Sequence, residues 1–242
     1  MGEAKRRQKT GQPAAKTANN NQKPLIVGLS LAVVALIIGI VYVITAAPDS
    51  SSDALPTAGD NSAPFPAQVD QFGVSLGDPD APVVVREFAD YQCPACQQFS
   101  SAAAKLKEQY VESGQVRFMF FDLPLQQHQN AVPAALAARC AGDQDGYWAM
   151  HDRLFEDQYE WSGSGSATDM FERYAADLGL ETRRFRRCMD TKLHIEDIER
   201  SRQVAMQLQL TSTPTVLVDN IRLTRPGWDQ MAAVVERELA DK

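Results

Sequence analysis

The sequence predicts a two-part chain: one N-terminal transmembrane helix and, past a flexible linker, an α/β domain with a helical insertion. Three observations carry this. They are an uncharged apolar run of 23 residues, a Pro- and Ser-rich stretch directly after it, and a strand–helix–strand change of periodicity in the remainder. A length of 242 residues allows one substantial domain with accessory segments.

Residues 1–23 hold six Lys or Arg against the single acid Glu3, a charge of +5, so the rest of the chain carries -12 of the net -7. An acidic body excludes a phosphate-backbone partner, because nucleic-acid binders need a basic face to displace counterions. Leu25 to Ala47 follow without one charge. About 20 such residues cross a bilayer as a helix that satisfies its own backbone hydrogen bonds. Basic flanks stay inside, so 1–23 is expected to be cytoplasmic, 24–47 to span the membrane, and all that follows to lie outside the cytoplasm. A cleaved leader, the alternative, has an apolar region of only about 7 to 15 residues. Both readings export the domain.

Residues 48–67 hold four prolines among Ser, Asp and Gly, which marks a solvated tether spanning on the order of 25 Å. The domain proper is expected over 68–242. It opens with the turn-prone Gly77-Asp78-Pro79-Asp80 and an apolar run from Val83 to Phe88, read as a buried strand. After Cys93 the period changes. Phe99, Ala103, Leu106 and Tyr110 recur at helical spacing until Ser113-Gly114. A second apolar run, Val116 to Phe121, completes a crossover long enough to set the two strands parallel. From about 127 to 209 the pattern is largely helical, with Phe171, Tyr174, Ala175 and Leu178 on one face. Two short strands, Thr215 to Val218 and Ile221 to Thr224, and a helix bearing Trp228, Met231 and Val235 close the chain.

The chemistry is carried by Cys93-Pro94-Ala95-Cys96, placed where the first strand hands over to the helix. Two cysteines so spaced close a small disulfide ring, and the first thiol faces the unpaired amides and positive dipole end of the helix, which favour its thiolate. Pro94 suits the first helical position, whose amide has no partner anyway. This arrangement predicts an exposed Cys93 and a sheltered Cys96. A lone pair of this spacing also serves as half a zinc site or as a structural disulfide. Zinc wants a second ligand pair, and Cys140, Cys188, His128, His151 and His194 show no such spacing. No metal and no cofactor is expected.

The run Glu87-Phe88-Ala89-Asp90-Tyr91-Gln92-Cys93-Pro94-Ala95-Cys96 and the later Thr211-Ser212-Thr213-Pro214-Thr215 resemble the DsbA-like branch of the thioredoxin superfamily. The resemblance extends from about residue 68 to the end and is to membrane-anchored members with four cysteines. It implies a thioredoxin-like fold with a helical insertion. It further implies a cis peptide between Thr213 and Pro214 beside the dithiol, and a role for Glu87 as the buried acid that moves the proton of the second thiol. Alternation along the strand alone leaves open whether Arg86 or Glu87 points inward. The chain departs from the pattern at Ala95, where a histidine that helps to hold the thiolate is common.

Cys140 and Cys188 each fall on the apolar side of their helices, which is also where free cysteines sit. An oxidising compartment and an even cysteine count favour a structural bridge between them. The function expected is that of a thiol-disulfide oxidoreductase donating disulfides to exported proteins. A membrane partner, quinone-linked by resemblance, would reoxidise the pair. A reductase or isomerase, and a tethered client-binding module with inert cysteines, remain as alternatives.

Overall fold

The computed structural model describes residues 36–37, 55–58 and 64–242. Two compact units, Met1–Asp53 and Ala54–Lys242, divide the chain. In the first, Leu36 and Ile37 are helical and exposed; the expected cytoplasmic and transmembrane segments otherwise lie outside the described residues. Among those described, no helix is long and apolar enough to cross a membrane.

In the second unit, two strands form the centre. β2 (Val83–Ala89) and β3 (Val116–Asp122) pair in parallel, Val83 opposite Val116 through Ala89 opposite Asp122. Both are buried on both faces, which is why they read as near-continuous apolar runs. The connection between them is α1 (Pro94–Leu106), continued by a single π turn, Lys107–Val111. Beyond the insertion, β4 (Thr215–Val218) pairs antiparallel with β2, and β5 (Ile221–Arg222) with β4. A short strand that the sequence pattern did not show, β1 (Val74–Leu76), closes the other edge against β3. The order is β1-β3-β2-β4-β5. After β1 the chain turns at Gly77, where φ is 97° and an added Cβ would fall 2.9 Å from the Val116 carbonyl oxygen, too close for a side chain.

The insertion comprises α2 (Ala131–Gly142), α3 (Tyr147–Glu156), the four-residue α4 (Gln158–Trp161), α5 (Ala167–Asp177), α6 (Thr182–Thr191) and α7 (Ile195–Gln207). Its apolar side chains, among them Leu154, Trp161, Phe171 and Phe185, form one core that continues to Tyr91 and the two redox-motif cysteines. A second core packs α1 and the final helix α8 (Trp228–Ala240) on the sheet through Val85, Leu106, Phe118, Met231 and Val234. The redox motif therefore sits where the two layers meet.

The linker expected over 48–67 does not run free along its described part. Leu55 and Ala58 pack on the second core, the Pro56 carbonyl accepts from Arg237 at 2.9 Å, and Phe65 lies under the Arg86 guanidinium. For Leu55 to Ala58 and for Phe65 the partners are thus supplied by the domain.

Candidate active site

Cys93 is the N-cap of α1, with extended backbone (φ -75°, ψ 123°), and Pro94 follows at the first helical turn. The Cys96 and Gln97 amides donate to the Cys93 carbonyl, both at 3.1 Å. The helix axis thus begins at the reactive residue and directs its unpaired amides there. Both cysteines are free thiols. Cys96 is fully buried, and Cys93, expected to be exposed, is only 8% exposed. The reason lies across the site: the Thr213–Pro214 peptide is cis, and the Thr213 carbonyl oxygen stands 3.7 Å from the Cys93 sulfur.

The two thiols are held in opposite states. A hydrogen bond from Cys96 brings Cys93 down to a pKa of about 5 against the cost of its burial, helped by Thr213 and by the Cys96 and Ala95 amides. Burial pushes Cys96 far up, reinforced by its hydrogen bond to Cys93 and by the Glu87 carboxyl. Cys93 is then a thiolate at neutral pH and Cys96 a thiol.

Arg86 and Glu87 are both buried, which answers the orientation question in an unexpected way. Arg86 forms a bidentate pair with Asp70, both contacts at 2.7 Å, on one face of the sheet. Glu87 has a buried Oε1 without a hydrogen-bond partner, and burial raises its pKa to about 8, with the Lys107 ammonium opposing. Glu87 therefore carries a proton at neutral pH, and its carboxyl lies close enough to Cys96 to act on that thiol electrostatically. Lys107, in the π turn, is ion-paired to Asp152.

Several residues around the motif were given no role by the sequence. The Asp90 carboxylate accepts from the Gln92 and Leu125 amides and lies 2.7 Å from His128 Nδ1, fixing the turn before Cys93. The Tyr91 hydroxyl meets His151 Nδ1 at 2.9 Å, and burial keeps that histidine neutral. Gln158, 65 residues from Cys93, donates its amide to the Tyr91 and Cys93 carbonyls at 2.6 and 2.9 Å. Apart from the local Asp90–Gln92 turn contact, none of these follows from spacing along the chain.

Cys140 and Cys188 are bonded, with Cα atoms 5.7 Å apart, joining α2 to α6 beneath the surface of the insertion. Asp143, Cys188 and His194 bring one ligand-type atom each within 4.8 Å, a grouping their spacing had concealed. The Cys188 sulfur is engaged in the disulfide, and His194 bridges Asp143 and Asp197, both at 3.1 Å.

This dithiol at a strand-to-helix junction, facing a cis-proline across the sheet edge, matches a family model described as Thioredoxin over residues 70–237. The chain belongs to the thioredoxin family. Disulfide bond formation protein D of Bacillus subtilis is 28% identical over 175 residues, covering 69% of this chain and 77% of the relative. Among solved structures, oxidised BdbD from Bacillus subtilis superimposes with a TM-score of 0.64 at 23% identity, covering 77% of this chain and 97% of the other. A thioredoxin-like oxidoreductase from Silicibacter pomeroyi DSS-3 does so with a TM-score of 0.58 at 27% identity, covering 72% and 96%. The likeness of fold covers 77% of the chain, and the match to the thioredoxin model runs through the insertion.

Proposed function

We propose that this thioredoxin-family chain is a thiol-disulfide oxidoreductase that donates the Cys93–Cys96 disulfide to exported proteins from the outer side of a membrane. The observation that carries the reading is the division of the two thiols. Cys93 is held at about 5 and Cys96 is held protonated by burial. A stabilised Cys93 thiolate is a good leaving group and favours the reduced dithiol, which makes the oxidised form a strong oxidant.

The steps follow from these groups. A client thiolate attacks the Cys93 sulfur of the disulfide, and Cys96 leaves as a thiolate. Burial makes that thiolate costly, so it takes a proton, and Glu87, protonated up to about pH 8, supplies it. A second client thiolate then attacks the client sulfur of the mixed disulfide and expels Cys93, leaving client disulfide and enzyme dithiol. The two electrons gained pass to a membrane-bound, quinone-linked partner that restores the disulfide. The cis Thr213–Pro214 peptide offers the client backbone a polar edge beside Cys93. A cleft of about 420 Å³ lined by Ala95, Phe99, Pro214 and Trp228 receives the residues flanking its cysteine. The apolar run 24–47 holds the domain at the membrane with residues 1–23 inside.

The test is oxidation of a reduced, unfolded client by the full chain. Wild type and Cys140→Ala/Cys188→Ala are expected to oxidise it, Cys93→Ser to be inert, and Cys96→Ser, with Cys93 first loaded as its mixed disulfide with glutathione, to release glutathione to the attacking client thiolate and hold the client as a mixed disulfide. Oxidation by Cys93→Ser at the wild-type rate contradicts the assignment.

A further inference from the structure

Three amide side chains stitch the insertion to the redox loop. Gln92 donates to the Ser162 carbonyl at 2.7 Å and accepts from the Asn130 amide at 2.7 Å. Asn130 donates to the Trp161, Ser162 and Ser164 carbonyls at 3.3, 3.1 and 2.9 Å. Gln158, 6% exposed at the start of α4, donates to the Tyr91 and Cys93 carbonyls. Of these three, only Gln158 reaches an atom of the reactive cysteine.

That atom matters to the sulfur on the same residue. The Cys93 carbonyl oxygen is the negative end of a peptide dipole, and it already accepts from the Cys96 and Gln97 amides of α1. A further donor draws negative charge away from the neighbourhood of the sulfur. It also fixes the Cys93 peptide plane, and with it the direction in which the sulfur meets its own hydrogen-bond donors. A glutamine amide suits this position because it remains neutral at every pH and is long enough to span two carbonyls.

We propose that Gln158 is a positioning residue through which the helical insertion tunes Cys93. Its amide holds the Cys93 peptide in the orientation that favours the thiolate, so the oxidising strength of the dithiol depends on a residue of the insertion. This rests on the reading of Cys93 as the attacked sulfur. The other titratable groups about the site are Cys96 on α1, Glu87 on β2, the Asp90–His128 pair and the Tyr91–His151 pair, and of these only Tyr91 meets Gln158, through its backbone carbonyl.

The test uses the full chain with Gln158→Met, which keeps length but removes the donor, Gln158→Glu, whose buried carboxyl keeps its proton and donates to one carbonyl only, and Asn130→Ala, which cuts the neighbouring stitches. Two readouts are taken: the Cys93 thiolate titration by ultraviolet absorbance, and the equilibrium with glutathione. Gln158→Met is expected to raise the titration midpoint by about one pH unit and to make the protein about tenfold less oxidising, which is ~30 mV. Gln158→Glu, which retains one donor, moves both in the same direction by less, and Asn130→Ala leaves both at wild type. Folded Gln158 variants with unchanged midpoint and potential overturn the proposal. An equal shift in Asn130→Ala overturns it too, since loosening the loop in general then suffices. Client oxidation that persists in Cys93→Ser is the separate outcome that removes the underlying reading.

Discussion

The chain holds two cysteine pairs whose fates differ although the residue type is the same. Cys93 and Cys96 lie three positions apart at a helix entry, free, with one sulfur stabilised as thiolate and the other forced to stay protonated. Cys140 and Cys188 lie 48 residues apart, bonded, and buried between two helices of the insertion. The first pair is surrounded by groups that reward a change of state: helix amides, a second thiol, a protonated carboxyl. The second is surrounded by apolar packing that rewards none. Environment rather than sulfur chemistry divides reagent from staple.

The sharpest break of this comparison is to exchange the losses. Cys93→Ser is expected to lower client oxidation by at least about 10³-fold, while Cys140→Ala/Cys188→Ala stays within about twofold of wild type in the same assay. The stability assay should reverse the order. Losing the bridge between residues 48 apart is expected to lower the unfolding free energy by up to about 4 kcal/mol in denaturant titrations. Equal effects of the two variants in either assay would erase the distinction.

Glu87 sharpens the comparison at an intermediate size. Its pKa is raised from 4.5 to about 8, so it stabilises the fold fully below about pH 4.5 and loses that contribution as pH rises through about 8. Measured on the oxidised protein, where neither redox cysteine titrates, wild-type stability is expected to fall across that window by a few kcal/mol, and Glu87→Gln to remove the slope. Glu87→Gln is also expected to slow the release of Cys96. A flat wild-type profile would remove Glu87 as the proton donor. The smallest effect is at Ala95: Ala95→His places a cation near Cys93 and is expected to lower its titration midpoint by about half a unit, seen in the alkylation rate against pH.

Much of this was legible in the sequence for a physical reason. The change from strand to helical period at Cys93 is a local pattern, and so are the strands, the helical stretch 127–209 and the closing helix. What sequence left open was decided by layers on both sides. Alternation could not separate Arg86 from Glu87 because β2 is central and covered on both faces, so each finds a buried place by a different device, Arg86 through Asp70 and Glu87 through its proton. Cys93 is less exposed than a helix start implies because the cis-proline loop, 120 residues on, covers it. Gln158 and His151 carry no periodic or motif signal, since side chains that reach backbone across a fold are constrained only by the place they fill. The three-residue β1 is too short to alternate visibly.

The central claim is that Cys93 and Cys96 are poised to give a disulfide away. Its most direct test is the equilibrium reduction potential of the full chain in glutathione buffers, read by trapping free thiols in wild type and in Cys140→Ala/Cys188→Ala. One two-electron couple near the oxidising end, about -120 mV, is expected, unchanged by loss of the second pair. A value near about -270 mV, as in thioredoxin, would contradict it and make the protein a reductant supplied with electrons from elsewhere.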